Sequence, residues 1–155
     1  MQKITTFLTF KSGGKQAVDF YCQVFKDSKL DHAMTMPGSD QLLHAGFSLN
    51  GQEFMAMDGG DIPEFSFTDG ISLFVNCQDQ AEVDYYWDAL SGNGGAPGRC
   101  GWLKDQFGVA WQVIPNQLGQ LMGDSNPAKS GAVMQAMLKM NKLIIADLEA
   151  AYAGA

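Results

Sequence analysis

Val18-Asp19-Phe20-Tyr21 and Val83-Asp84-Tyr85-Tyr86 are two nearly identical stretches, and they lie 65 residues apart in the chain. With the same offset and no gaps, Leu8 falls on Leu73. Apolar residues around each stretch recur at intervals of three and four, which is the spacing of an amphipathic helix. The two stretches therefore predict two equivalent helices and an internal repeat of the unit that contains them.

Strand signals surround both helices in the same order. Asn50-Gly51 is the dipeptide typical of a two-residue β-hairpin, because both central residues need positive φ, and Gly108 marks the corresponding turn in the second half. Any strand within the glycine-rich segment 92–101 must be short. The other predicted elements are strand 4–10, helix 14–25 and strands 28–36, 42–49 and 53–57, followed by strand 71–77, helix 79–90 and strands 102–105 and 109–114.

This order predicts an α+β fold made of two βαβββ modules. The modules span residues 1–66 and 67–118, and they form one domain, 1–118, because neither half could cover the apolar face of its sheet alone. Helical spacing returns after Pro115, at 132–140 and 143–152, and Asn126-Pro127 ahead of the first stretch is a good cap followed by a first-turn proline. Residues 119–155 therefore predict a C-terminal helical extension that packs on the domain or on a dimer partner.

The composition excludes several classes of protein. Of the 155 residues 46% are hydrophobic, and 10 Lys and Arg oppose 17 Asp and Glu for a net charge of −7. No run approaches the roughly 20 apolar residues of a membrane helix, and scattered basic residues in an acidic chain argue against nucleic acid as a partner. We expect a cytoplasmic protein that binds neither membranes nor nucleic acids.

The cysteines predict no disulfide framework and no zinc knuckle. Cys22, Cys77 and Cys100 are odd in number, widely spaced and form no CxxC pair. A catalytic thiol needs a neighbouring His or a helix N-terminus to lower its pKa, and the spacing identifies neither. Three reduced thiols are the expectation.

Longer motifs resemble a known superfamily. The runs ITTFLTF, AVDFY and HAGFSLNGQEFMAMDGG, together with GWLKDQFGVAWQVIP and VMQAMLKMNK, resemble the vicinal oxygen chelate superfamily of glyoxalases, extradiol dioxygenases and bleomycin-resistance proteins. Within it they are most similar to the PhnB-like, 3-demethylubiquinone-9 3-methyltransferase-type group. The resemblance covers nearly the whole chain and implies a glyoxalase-like cupped mixed sheet.

The methyltransferase name of that group agrees poorly with the residues. An enzyme that uses S-adenosylmethionine usually needs a doubly wound α/β domain whose glycine-rich first turn opens a helix. No GxGxxG follows a predicted strand here, and the segment 92–101 leads into a strand. We therefore expect no methyl transfer.

The resemblance also implies where a metal ion would bind. Metal-dependent members take ligands from the first and last strands of each module. The corresponding positions here are Thr6, Met55, Gly70 or Ile71, and Gln112. Only Gln112 offers a plausible oxygen, and a catalytic divalent site needs about three N, O or S ligands. The expectation is a pocket with no cofactor, and a divalent metal is the alternative.

His44 and Gln112 are the predicted catalytic residues. If His44 faces inward, it could pair with Gln112 across the cup as a hydrogen-bond donor or general base, because imidazole titrates near neutral pH. A structural histidine is the alternative. Asp58 offers either a carboxylate at the mouth of the pocket or ordinary turn chemistry. His32 precedes a turn and is expected to be exposed.

Aromatic and apolar strand residues form either the core or the lining of a pocket. Such a lining would suit an aromatic or otherwise hydrophobic small molecule. The predicted substrate contacts are Thr6, Phe7, Phe54, Met55, Asp58, Trp102 and Trp111.

The favoured function is therefore a PhnB-like homodimer that binds a small organic molecule without a tightly held metal. The alternative is a metal-dependent lyase, isomerase or dioxygenase with an altered ligand set, such as His44, Gln112 and Asp58, or a site shared between subunits. A protein that sequesters its ligand unchanged is a third interpretation. The homodimer is implied by the superfamily's pairing of modules across subunits and by the apolar tail.

Overall fold

Each predicted repeat folds into a four-stranded mixed sheet that carries one helix. The computed structural model describes residues 2–155, and the chain divides into two units, Met1–Ser66 and Phe67–Ala155. The first unit contains β1 (Thr6–Phe10), α1 (Gly14–Val24), β2 (Ser28–Thr35), β3 (Leu42–Leu49) and β4 (Gln52–Asp58). The second contains β5 (Leu73–Cys77), α2 (Gln80–Ser91), β6 (Ala96–Pro97), β7 (Trp102–Lys104) and β8 (Ala110–Pro115), followed by α3 (Asn116–Met122), α4 (Pro127–Met137) and α5 (Ile145–Ala153).

The two sheets have the same topology. Their strand orders are β1-β4-β3-β2 and β5-β8-β7-β6. In each sheet the first and last strands of the repeat pair in parallel, and the remaining neighbours pair antiparallel. The prediction of an α+β fold with two βαβββ modules and a C-terminal helical extension is confirmed.

Residues that the repeat equates have the same structural roles in both units. Val18 and Val83 are both fully buried. Gly51 and Gly108 both have positive φ, 79° and 87°, as a tight turn between antiparallel strands requires. The alignment of the two halves therefore reflects a repeat of structure as well as of sequence.

The sequence offset that relates the first strands of the two repeats differs from the offset of 65 residues that relates the two helices. Thr6 pairs with Phe54, and Leu73 pairs with Trp111. Because the hairpins equate Phe54 with Trp111, the structural counterpart of Leu73 is Thr6, whereas the gapless alignment predicts Leu8. The difference is two residues, so it moves no side chain to the other side of the sheet.

Only one side of each sheet carries the helix of its own repeat. Leu8 and Phe10 of β1 are buried, and Phe10 lies close to Gly14 at the start of α1, whereas Phe7 is 45% exposed. We call these two sides of each sheet the helix side and the open side. Because side chains alternate along a strand, neighbouring residues of one strand lie on opposite sides of the sheet.

Residues 116–155, which begin with α3 and are called the C-terminal extension from here on, pack on the open side of the second sheet. Ile114 of β8 belongs to a buried cluster whose other members come from the extension. They are Leu118, Val133, Leu143 and Leu148. Within residues 2–155 no helix has the length and apolar character needed to cross a membrane.

The helices of the extension differ in detail from the predicted ones. α4 starts at Pro127, as the predicted cap Asn126 and first-turn proline require, which is five residues before the apolar spacing begins. The Asn126 side-chain oxygen accepts from the Ala128 N–H at 3.0 Å. It ends at Met137, three residues before the predicted end. α3 is not predicted, because its seven residues are too few to show helical periodicity.

The Asp58 carboxylate joins three segments of the first unit. Its side chain is 8% exposed, and its two oxygens accept from the N–H of Gly14 and the N–H of Leu42, each at 2.8 Å. Gly14 begins α1 and Leu42 begins β3. A Cβ atom on Gly14 would lie 2.7 Å from Oδ1 of Asp58, so the helix start needs glycine to approach the carboxylate.

We expect Asp58→Ala to lower the free energy of unfolding by about 3 kcal/mol, because two buried N–H groups lose a charged acceptor. Urea unfolding followed by circular dichroism measures the change. Asp61→Ala is the matched control, because the Asp61 side chain is 89% exposed and pairs only with Lys11 among the ion pairs of the described chain. It should change stability by less than about 0.5 kcal/mol. Equal losses in the two variants would contradict the role given to Asp58.

Candidate functional site

The predicted contact residues of the first unit lie on both sides of its sheet. Thr6, Phe54 and Asp58 occupy the helix side, where Phe54 and Asp58 are buried. Phe7 and Met55 are register partners on the open side, and they are 45% and 39% exposed. The sequence prediction thus combined residues that strand alternation separates.

Two histidines meet on the open side of the first sheet. The ring centroids of His44 and Phe7 lie 5.9 Å apart. Nε2 of His32, on the neighbouring strand β2, lies 2.7 Å from Nδ1 of His44. The two ring planes differ by only 7° and their centroids are 5.0 Å apart, so the rings meet edge to edge through these nitrogens. One ring nitrogen donates this hydrogen bond and the other accepts it.

His32 is exposed, as the sequence predicts. Its pairing with His44 is not predicted. The pairing depends on the register of β2 against β3, which shifts between Leu30 and His32 and again between Met34 and Thr35. No local sequence signal fixes these two irregularities.

Trp111 of the second unit belongs to the core. Its side chain is 2% exposed on the helix side, and its indole N–H donates to Oδ2 of Asp105 at 2.8 Å. Oδ1 of Asp105 accepts from the N–H groups of Phe107 and Val109, so the same carboxylate also fixes the turn between β7 and β8. Trp111 therefore anchors the hairpin through Asp105.

Trp102 and Gln112 lie on the open side of the second sheet. They are cross-strand partners, and Phe74 of β5 is the partner of Gln112 on its other side. The side-chain N–H of Gln112 donates to Oγ of Ser72 at 2.9 Å. This contact orients the amide, whose oxygen can then accept from a ligand.

A cavity lies between these open-side residues and the C-terminal extension. Its volume is about 420 Å³. The sheet contributes the open sides of β5, β7 and β8, and the extension contributes α3 and α4. The cavity is lined mainly by Phe74, Trp102, Gln112, Ile114, Met122 and Met137, with Asn76 and Cys100 among its polar groups.

The sequence predicts Trp102 and Gln112 of this lining and misses the rest. Met122 and Met137 come from the extension, and Phe74 lies in the predicted strand 71–77, to which the sequence assigned no contact residue. Phe74 is 52% exposed, whereas the next residue, Val75, is buried on the other side of the sheet. Only this alternation distinguishes Phe74 from a core residue. That distinction becomes visible only when the register of β5 against β8 is known.

The four positions that the superfamily uses for a metal ion do not offer a suitable donor set. Thr6 lies on the helix side of its sheet, and Gly70 and Ile71 have no donor side chain. Met55 offers only a thioether, and Gln112 alone offers an oxygen, because its N–H donates to Ser72. A divalent ion that needs about three N or O side chains does not fit these residues.

The altered ligand set that contains His44 and Asp58 does not come together either. The two residues lie on opposite sides of one sheet, and both oxygens of Asp58 accept backbone N–H groups. Among residues 2–155 no group of three or more His, Cys, Asp or Glu side chains could hold a metal ion.

Burial keeps two of the thiols in their protonated form. It raises the pKa of Cys77 to about 12, with a smaller contribution from the carboxylates of Glu82 and Asp79. Burial also raises the pKa of Cys22. Neither thiol has the lowered pKa of a catalytic nucleophile.

Comparison with known proteins identifies relatives of the chain. Residues 2–114 match the family model described as 3-demethylubiquinone-9 3-methyltransferase. A PhnB protein from Bacillus cereus is 35% identical, with 74% of this chain and 99% of that chain covered and a TM-score of 0.66. No curated protein matches the chain.

Two more distant structures share the fold. A Pseudomonas aeruginosa protein is 23% identical, with 74% of this chain and 98% of that chain covered and a TM-score of 0.58. An Arabidopsis thaliana gene product is 21% identical, with 72% and 96% covered and a TM-score of 0.52. The family match ends at residue 114, so it does not include the run 133–142 that the sequence resemblance included.

We expect Cys77 to be unreactive in the folded protein. In the double variant Cys22→Ser/Cys100→Ser, the remaining thiol should react with 5,5′-dithiobis-(2-nitrobenzoate) at pH 8 at least about 100-fold more slowly than in denaturing urea. A thiol with a pKa of about 12 is ionised only about once in ten thousand at that pH.

The matched variant Cys22→Ser/Cys77→Ser leaves only Cys100, which lines the cavity. Its folded form should react faster than that of the variant that retains Cys77. Comparable rates for the two folded variants would contradict the protection assigned to Cys77.

Proposed function

The chain belongs to the PhnB-like family described as 3-demethylubiquinone-9 3-methyltransferase, and we propose that it binds a small aromatic molecule in the cavity of its second unit. The observation that carries this proposal is the cavity itself, where Trp102 and Gln112 converge beneath the C-terminal extension. Binding through these residues needs no metal ion.

The size of the cavity suits a ligand of one or two rings. Its volume of about 420 Å³ falls within the range of roughly 300–1,000 Å³ typical of small-molecule sites. Most of the lining is apolar, which favours a ligand that loses little hydration on entry. Met122 and Met137 give the extension side an adaptable surface, because unbranched thioether side chains repack easily around irregular shapes.

Two side chains give the site its selectivity. Trp102 offers an aromatic face on which a planar ring can stack, and such ring pairs contribute about 0.5–1.5 kcal/mol beyond the area that they bury. The Gln112 amide, oriented by Ser72, can accept from a hydroxyl group of the ligand. A phenol or naphthol combines both features.

The polar groups of the lining favour binding over acid–base chemistry. Among residues 2–155 the side chains that line this cavity include the amides of Asn76, Gln112 and Asn116 and the thiol of Cys100, but no carboxylate and no imidazole. A general acid or base of ordinary strength is therefore not available from this lining. His44, the other predicted catalytic residue, belongs to the first unit.

Methyl transfer is not part of the proposal. The family description names a methyltransferase, but each sheet of residues 2–155 has four mixed strands with one helix of its own repeat. Neither has the doubly wound parallel architecture, with a glycine-rich turn opening a helix, on which many S-adenosylmethionine enzymes depend.

We also propose that the chain forms a homodimer. A second copy would cover large apolar side chains that one chain leaves exposed, among them Ile4 at 88% and Ile71 at 81%. These two residues precede the first strand of each repeat. Burial of such side chains is the usual driving force for association of identical subunits.

We expect 1-naphthol to bind with micromolar affinity in isothermal titration calorimetry. Trp102→Phe should weaken binding about tenfold, which corresponds to about 1.4 kcal/mol, because the larger stacking surface is lost. Trp111→Phe is the control and should leave the affinity within about twofold, because Trp111 lies on the helix side.

A parallel titration with S-adenosylmethionine is expected to give no binding heat. If Trp102→Phe kept full affinity for 1-naphthol and Trp111→Phe lost that affinity, the ligand would bind outside the cavity. Saturable binding of S-adenosylmethionine would overturn the exclusion of methyl transfer.

Sedimentation equilibrium at micromolar concentration tests the homodimer. Two chains of 16.8 kDa give an expected mass of about 34 kDa. A single species of one-chain mass across the whole concentration range would contradict the proposal.

A further inference from the structure

We propose that the open side of the first sheet is a copper(I) site, with the imidazoles of His32 and His44 and the thioether of Met34 as ligands. The site lies in the first unit and does not depend on the cavity of the second. These are the only two histidines of the chain, and the fold brings them together from β2 and β3.

The imidazole nitrogens are already nearly at the separation that a shared metal ion requires. Nε2 of His32 and Nδ1 of His44 lie 2.7 Å apart. A three-coordinate ion bound to two such nitrogens at about 2 Å each, with bond angles of about 120°, holds them about 3.5 Å apart. The difference is small enough for a ring rotation of His32, which is exposed. The donor ring then carries its proton on its other nitrogen, so that both facing nitrogens offer a lone pair to the metal and both imidazoles stay neutral.

The backbone leaves room for this arrangement at Gly46. A Cβ atom at Gly46 would lie 2.7 Å from Cε1 of His32, so the His32 ring rests directly over the glycine. Glycine in the interior of a strand weakens the strand, and it often marks a place where another group must approach closely. Here the group that approaches is the imidazole.

Methionine provides the third ligand and the preference for copper. Met34 is the register partner of His44 and lies two residues after His32 on β2, so its side chain is on the same side. It is 58% exposed and free to move. Met55, the register partner of Gly46, adds a second thioether nearby. Thioethers are soft ligands that favour copper(I), whereas two imidazoles alone do not discriminate among copper, zinc and nickel.

The test measures copper(I) binding against the chromogenic chelator bicinchoninate in ascorbate without oxygen. Because thiolates also bind copper(I), all proteins carry Cys22→Ser and Cys100→Ser, and Cys77 stays buried. One equivalent is expected to bind. His32→Ala and His44→Ala should each weaken binding at least tenfold, and Met34→Leu at least fivefold.

Met36→Leu is the matched control, because Met36 is also exposed but follows the end of β2. Its affinity should equal that of the parent. NMR of the imidazole nitrogens gives a second readout, in which the signals of both histidines should shift together and stop shifting at one equivalent.

Three results would overturn the proposal. They are the absence of copper(I) binding in competition with bicinchoninate, an affinity unchanged in His32→Ala and His44→Ala, or a shift of only one histidine. An affinity unchanged by Met34→Leu would overturn the thioether ligand and with it the selectivity for copper(I). Loss of a small organic ligand from the second unit would affect none of these measurements.

Discussion

A four-stranded sheet with a single helix can bury only one of its two sides, and this constraint governs both units. In each repeat the helix covers one set of alternating side chains and leaves the other set outside its own core. The sheet residues of both proposed sites therefore belong to an open side. The two open sides differ in what covers them. The extension packs on the open side of the second sheet, whereas Phe7 and Met55 on the open side of the first sheet stay exposed.

The sequence was sufficient to predict the fold because the signals that determine it are local and repeated. Each signal specifies one short element: helical spacing specifies the helices around Val18 and Val83, and glycine specifies the turns at Gly51 and Gly108. Because the signals occur twice, the order of the elements is recognisable. α3 is not predicted because seven residues carry too little periodicity. The start of α4 follows from its Asn126-Pro127 cap, whereas its end lies three residues before the last apolar residue of the pattern.

The candidate sites were harder to predict because they depend on which side of a sheet each residue faces. Trp102 and Trp111 are both tryptophans in strands of the second module, yet one lines a cavity and the other is a core residue bonded to Asp105. Their sides follow from strand register, which is a property of the pairing and not of either strand alone. The pairing of His32 with His44 has the same origin, because it depends on two irregularities between β2 and β3.

The extension changes what the family fold can do in this chain. The family match ends at residue 114, and the chain continues into α3 at Asn116. Met122 and Met137, which close the cavity, therefore lie outside the region that the family model matches. In the proposed ligand site, the shared fold supplies the residues of the sheet and the extension supplies the two methionines. The description of the family therefore does not identify the ligand.

The two repeats also show how one backbone arrangement supports two kinds of site. In the first sheet, one row of paired residues runs Phe7, Met55, Gly46 and His32, and in the second the equivalent row runs Phe74, Gln112 and Trp102. Trp102 thus stands where the first repeat has Gly46. Glycine opens the space that an imidazole from the long edge strand β2 fills, whereas the second edge strand, β6, has only two residues and no such side chain to offer. In the second sheet Trp102 itself occupies this position and lines the cavity. A difference at one strand position thus separates a pair of hydrogen-bonded imidazoles from a mainly apolar cavity.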